Sequence, residues 1–96
     1  MKHTYRVALK ELALSQKGAG RSLQFEFGSH DDVFAILERL SGNDALDEDT
    51  RAALIVGVKT LGSALLSNPK SPEMSQLLPH FKGLMMELKA VFTENP

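Results

Sequence analysis

The spacing of apolar residues changes once along the chain, and this change restricts the fold more than any other feature. Over residues 22–27 apolar and polar residues alternate, which is the period of a strand that buries one face. From Val33 onward apolar residues recur every three or four positions, which is the period of an amphipathic helix. A chain of 96 residues in this order predicts a single domain, residues 1–96, with strands first and helices afterwards.

The start of the chain predicts a β-hairpin over about residues 3–28. A first alternating stretch covers residues 4–9, and a glycine-containing loop over residues 15–20 connects it to the second. The apolar spacing of residues 6–14 would also suit a helix, which is the alternative to the first strand.

The two apolar strand faces match only if one strand contains an extra residue. The alternation changes parity after Leu9, so a simple continuation of the strand would place Lys10 opposite Phe25. A β-bulge near Lys10 corrects this and pairs Leu9 with Phe25 and Val7 with Phe27. We therefore predict a bulged hairpin.

Three helices are predicted after the hairpin, over about residues 30–40, 48–66 and 72–93. Ser29 has a suitable side chain for the N-cap of the first helix, and Asp32 three residues later completes a capping box. The second helix is the most apolar of the three and is predicted to be central. It carries a stripe of small residues that would let another backbone approach closely. The stripe consists of Ala53, Gly57, Thr60 and Ala64.

The ends of the two long helices are marked by capping residues. Asp47 is the predicted N-cap of the second helix, and Ser71 and Pro72 suit the N-cap and first position of the third. Pro79 removes a helical N–H and crowds the preceding turn. We therefore predict a short turn over residues 72–77 before the main part of the last helix; a single helix kinked at Pro79 is the alternative.

This order of elements predicts an α+β fold, ββααα, in which an N-terminal β-hairpin packs against three helices. A two-stranded sheet is marginally stable alone, and each strand leaves one edge unpaired. A second copy that joins the hairpins, or that buries the apolar surplus of the long helices, would remove these exposed surfaces. We therefore predict a homodimer.

The composition excludes several classes of function. The sequence has no cysteine, which excludes disulfides, thiol catalysis, iron–sulfur clusters and cysteine-ligated zinc. The three histidines lack metal-ligand spacing, and no nucleophile, nucleotide or phosphate motif is present. We therefore expect no catalytic residue, no metal site and no cofactor, and the balance of the sequence is against an enzyme.

Charge and hydropathy restrict the partners and the location. The net charge is -1, and the N-terminus lacks the apolar segment of a secretory signal. The longest apolar run, residues 52–58, is too short to span a membrane. We expect a cytoplasmic protein without a membrane partner. Nucleic-acid binding would depend on hairpin cations without exposed aromatic residues between them, so we expect no nucleic-acid partner. These cations are Arg6, Lys10, Lys17 and Arg21.

The densest polar group is His30, Asp31 and Asp32, at the predicted start of the first helix. These residues suit the chemistry of a helix N-terminus, and they are also our candidate contacts to a ligand or partner. Tyr5 and Arg39 complete the candidate set. A ligand would lie in a pocket between the hairpin and the helices.

The sequence assigns no specific activity. It favours a non-enzymatic interaction or regulatory module that self-associates and contacts a protein partner. A small-ligand-binding protein is the alternative, and nucleic-acid binding through the basic hairpin is the third hypothesis.

Several stretches of the chain resemble a known family. They are Phe25-Glu26-Phe27, the run from His30 to Arg39, the acidic turn after it, and Gly57-Val58-Lys59. They are similar to small bacterial proteins of the family called domain of unknown function 3861, and the similarity covers nearly the whole chain. The resemblance implies a bacterial, cytosolic, stand-alone domain with the same order of elements. It implies no functional residue, because no activity is established for that family.

Overall fold

The computed structural model describes residues 3–12, 20–40 and 46–93. The chain forms strands β1 (His3–Lys10) and β2 (Ser22–Ser29), followed by helices α1 (Val33–Leu40), α2 (Glu48–Leu66) and α3 (Pro72–Thr93). The strands pair antiparallel in a two-stranded sheet. The predicted α+β class and ββααα order are confirmed. Most of the predicted loop over residues 15–20 lies outside the described residues.

The hairpin has a regular register. Val7 lies opposite Phe25, and Leu9 lies opposite Leu23. The predicted bulge and the alternative helix over residues 6–14 are both wrong. Strand β1 is regular throughout and ends before the change of parity, so the leucines beyond it impose nothing on the pairing.

The two faces of the hairpin differ in polarity. The polar face carries the ion pair of Arg6 with Glu26, at 2.9 Å. On the apolar face, Phe27 is buried in a cluster with Val33 of α1 and Ile55 of α2. The apolar face consists of Tyr5, Val7, Leu9, Leu23, Phe25 and Phe27. The helices therefore meet this face near the start of β1 and the end of β2.

Helix α1 begins at Val33, three residues later than predicted, and Asp32 caps it. The Asp32 carboxylate accepts hydrogen bonds from the backbone N–H groups of Phe34 and Ala35, at 3.1 and 3.2 Å. The prediction of Ser29 as the N-cap was wrong, because Ser29 still belongs to β2. Its buried hydroxyl accepts a hydrogen bond inside the turn that follows.

Helix α2 is central, as predicted, since it packs against β2, α1 and α3. Asp47 is its N-cap, which confirms that prediction: its carboxylate accepts the backbone N–H of Thr50 at 2.7 Å. Hydrogen bonds from the side-chain hydroxyl and the backbone N–H of Thr50 favour the charged carboxylate and lower the pKa of Asp47.

Helix α3 comes close to α2 at Gly62. A Cβ atom at this position would lie 2.8 Å from the ring of Phe81 on α3. Gly57, in the middle of the predicted small-residue stripe, has no neighbour within 4 Å of the place its Cβ would take. Within one chain, the small-residue stripe is therefore not the face of α2 that α3 approaches closely. The helix instead buries the row that contains Val58, Gly62 and Leu65.

Helix α3 is continuous through Pro79, so the predicted separate turn over residues 72–77 is wrong. Pro79 lies on an exposed side of the helix, where water can bond to the carbonyl that loses its helical donor. The helix begins at Pro72, and Ser71 caps it by accepting the N–H of Met74 at 3.3 Å, as predicted.

The fold is open, and its core is small. The accessible surface is 7594 Å², whereas a compact monomer of 10.5 kDa exposes about 5,400 Å². The radius of gyration is 15.6 Å, against about 12.5 Å for a compact domain of this length. The buried apolar residues of the described part are Phe27, Val33, Ile55, Val58 and Leu65. None of the described helices carries an apolar stretch that could cross a bilayer.

Candidate functional site

The candidate residues from the sequence concentrate at the corner where β2 leads into α1. Tyr5 reaches this corner from the neighbouring strand, and its hydroxyl accepts the backbone N–H of Val33 at 3.0 Å. Its ring lies against those of Phe27 and Phe34, with centroids 5.4 and 5.9 Å away. Tyr5 therefore joins the sheet to the first residue of α1 by a hydrogen bond and by aromatic packing.

Asp31 connects the same corner to α2. Its carboxylate receives a hydrogen bond from the ammonium of Lys59, at 2.6 Å. This ion pair lowers the pKa of Asp31, with smaller contributions from the charges of His30 and Lys89. The carboxylate is thus held in its charged form by a helix that lies far away in the sequence.

The structure brings together four of the five candidate residues. Tyr5, His30, Asp31 and Asp32 lie at the corner, whereas Arg39 lies in the last turn of α1, at the opposite end of that helix. The hydroxyl of Tyr5 and both carboxylates are engaged in contacts within the chain. The arrangement positions α1 against the sheet and α2. In the described ranges, no group of three or more histidine and acidic residues could hold a metal ion.

Side chains pack between the hairpin and the helices, where a ligand pocket is predicted. Tyr5 and Val7 lie there against the buried cluster of Phe27, Val33 and Ile55. A groove of about 400 Å³ lies at the far end of the hairpin. Its lining residues are Leu9, Lys10, Glu11, Arg21, Ser22 and Leu23.

The far half of the apolar sheet face is not covered by helices. Leu9, Leu23 and Phe25 are 64%, 57% and 42% exposed. We call these three residues the open hairpin face. It is bounded by the bidentate pair of Arg21 with Glu11, at 3.0 and 2.5 Å, which raises the pKa of Arg21.

Two of the four hairpin cations are paired with carboxylates. Arg6 of β1 pairs with Glu26 of β2, and Arg21, just before β2, pairs with Glu11, just after β1. Lys17 lies outside the described residues. These ion pairs weaken the hypothesis of nucleic-acid binding.

A family model covers almost the whole chain. The model described as a domain of unknown function with a solved structure, DUF3861, matches residues 3–90. The chain belongs to the DUF3861 family. The resemblance expected from the sequence is thereby confirmed.

A solved structure shares the fold. A crystal structure of a protein of unknown function from Pectobacterium atrosepticum matches with a TM-score of 0.78 and 32% sequence identity, over 94% of this chain and 99% of that chain. No curated protein matches the chain. The DUF3861 family and this neighbour are described without a function, so the function has to be argued from the surfaces of the fold.

Two features of these surfaces were not predicted from the sequence. Lys59 was not singled out, because a partner 28 positions away from Asp31 leaves no local pattern. The pairing of Glu11 with Arg21 was also missed, although the regular register of the hairpin would have predicted it. The strand register therefore carries a signal for the pair of Glu11 with Arg21, whereas the sequence carries none for the pair of Lys59 with Asp31.

Proposed function

We propose that this protein is a non-enzymatic interaction module of the cytoplasm that works as a homodimer. The single observation that carries the proposal is that the described part of the chain leaves eleven large apolar side chains exposed and buries five. A stable interface buries about 800 Å² on each partner. A second copy of the chain would cover part of this apolar surface.

The chemistry of the exposed surface supports this proposal. Large apolar side chains are exposed on the hairpin and on all three helices, and a partner chain could cover apolar surface of this kind. The polar residues of the β2–α1 corner are engaged in holding the fold, which supports a binding role over a catalytic one. The candidate contact at this corner is His30, whose side chain is exposed.

The experiment is a measurement of molar mass by light scattering during size-exclusion chromatography, repeated over a wide range of concentration. We expect twice 10.5 kDa. A mass of 10.5 kDa at every concentration would contradict the proposal.

A second candidate function is small-ligand binding in the groove at the far end of the hairpin. Its volume of about 400 Å³ is within the range of ligand sites, about 300–1,000 Å³. Native mass spectrometry of protein purified from its own cells separates the candidates. A retained mass of a few hundred daltons, on the order of a drug-sized ligand, would favour the ligand-binding function. A bare dimer would favour the interaction module.

A further inference from the structure

The apolar face of helix α3 is wider than the part of it that α2 covers. One row of half-buried side chains consists of Met74, Leu78, Phe81, Met85 and Leu88. Beside it, Leu77, Leu84 and Val91 repeat every seven residues, and half or more of each side chain is exposed. An arc of this width is typical of a bundle helix with two helical neighbours. Among the described residues, α3 packs substantially only against α2.

Two lysines show which way the exposed row points. Lys59 of α2 pairs with Asp31, and the charge of Lys89 on α3 is also felt at Asp31, so these sides of both helices face the hairpin corner. With 3.6 residues per turn, Leu84 lies roughly 140° around α3 from Lys89, and Leu61 lies roughly 160° around α2 from Lys59. Both leucines therefore lie on the side directed away from the hairpin.

The exposed apolar residues on this side of the two helices make up what we call the outer helical face. It consists of Leu61 on α2 and of Leu77, Leu84 and Val91 on α3. The residues beside Leu61 on that side of α2 are small: Ala53, Gly57 and Ala64. Because they carry little side chain, a facing helix could come close to α2.

We infer that a second copy of the chain docks on the outer helical face, with the two α3 helices antiparallel and Leu84 at the two-fold axis. This inference rests on the proposed homodimer and names its interface. Helix α3 has 22 residues, so the contact would extend over about 33 Å. In this arrangement Leu77 meets the partner's Val91, and each apolar row completes the bundle core of the other copy.

The polar residues beside the exposed row favour the antiparallel orientation. His80 and Glu87 lie seven residues apart on the same edge of that row. Around a two-fold axis at Leu84, His80 lies within one residue's rise, about 1.5 Å, of the level of the partner's Glu87, and the reverse pair forms as well. A parallel pair would instead set this polar edge of each helix against the opposite edge of the partner, which carries the apolar Met85.

The interface is tested by Leu84→Asp, with Met86→Asp as the matched control. Met86 is 73% exposed on the same helix and lies roughly 160° around it from Leu84. We expect Leu84→Asp to raise the dimer dissociation constant about 100-fold or more, because the change occurs twice at the axis. Met86→Asp is expected to leave the constant unchanged. Circular dichroism establishes that each variant is folded.

The outcomes separate this inference from the proposed function. A monomeric wild-type protein would overturn both. A wild-type dimer that keeps its dissociation constant with Leu84→Asp would overturn the interface and leave the homodimer standing. If Leu84→Asp does not fold, Leu77→Asp in the first turns of α3 replaces it, with the same expected result.

The orientation is tested by cross-linking, which the absence of natural cysteines makes unambiguous. A mixture of Leu77→Cys and Val91→Cys proteins is expected to give a dimer with a short thiol cross-linker, whereas Leu77→Cys alone is not. Efficient cross-linking of Leu77→Cys to itself would overturn the antiparallel arrangement.

Discussion

The hydroxyl of Tyr5 accepts the backbone N–H of Val33 at 3.0 Å, joining the first strand to the first residue of the first helix. Val33 is 3% exposed, so its N–H has little access to water. A hydrogen-bond donor in such a place needs a partner from the chain. The corner of the fold therefore depends on a side chain that lies 28 residues earlier in the sequence.

Replacing Tyr5 by Phe removes this acceptor and keeps the ring. We expect a loss of about 1–3 kcal/mol in the free energy of unfolding, because a buried donor loses its partner. Urea denaturation of the variant and the wild-type protein measures the difference. Arg6→Gln, on the polar face of the same strand, is the control and should cost well under 1 kcal/mol. A neutral Tyr5→Phe change would show that the hydrogen bond does not stabilise the corner.

Gly62 and Gly83 predict opposite results for the same substitution. Gly62→Ala would place a Cβ atom 2.8 Å from the ring of Phe81, so the ring or the helix must move, at a cost of about 1–3 kcal/mol. Gly83→Ala meets nothing within 4 Å, and alanine should stabilise the helix by up to about 1 kcal/mol. Thermal unfolding of both variants checks this. The packing of α2 on α3 would have to be revised if Gly62→Ala were the more stable of the two.

The ion pair of Asp31 with Lys59 predicts a stability contribution that is lost in acid. The pair lowers the pKa of Asp31 in the folded state below its ordinary value of about 3.9. The folded chain therefore binds this proton less readily than the unfolded chain does. The contribution is complete above that ordinary value and disappears as pH falls through the lowered pKa. Because the Asp31 side chain is largely exposed, we expect no more than about 1 kcal/mol.

A double-mutant cycle with Asp31→Asn and Lys59→Gln measures this contribution. The coupling energy should be present at neutral pH and should vanish in strong acid. A coupling energy that persists in strong acid would contradict the assignment, because the protonated carboxyl group no longer carries a charge.

Two substitutions of Asp32, the N-cap of α1, are expected to differ in their effect on the free energy of unfolding. Asparagine keeps an oxygen that can accept the N–H groups of Phe34 and Ala35, whereas alanine does not. We expect Asp32→Ala to lower the free energy of unfolding by about 1 kcal/mol and Asp32→Asn to lower it much less. Denaturation at neutral pH compares them. Equal losses would mean that the charge of Asp32 is what stabilises the helix, through the helix dipole.

Features that are defined within a few residues of sequence are predicted correctly, whereas features that depend on distant residues are not. The N-caps Asp47 and Ser71 were predicted correctly because a cap is defined within three residues. Ser29 was a plausible cap, but β2 extends through it, since its partner His3 holds it in the sheet. The bulge was inferred from leucines beyond the end of β1, whose position depends on where the strand stops and not on their spacing.

The candidate site shows the same limit. The run from His30 to Asp32 was found because polar residues cluster there. Tyr5 of the first strand accepts the N–H of Val33 beside this run, and Lys59 of the second helix pairs with Asp31 within it. No local pattern reveals either contact. The glycines of α2 show the limit as well. The sequence predicts that α2 carries small residues, but only the packing against Phe81 shows that Gly62 is the close contact.

The incomplete cover on the hairpin has a consequence for how the molecule opens. Its near half packs on the helices through Phe27, whereas the described hairpin residues beyond Val7 do not belong to the buried cluster. The hairpin thus combines two local stabilities in one continuous ladder of hydrogen bonds. Amide protons should exchange in order along it, first near Leu9 and Leu23 and last near Tyr5. The strand ends near Leu9 and Leu23 would therefore separate and re-form many times before the whole fold unfolds.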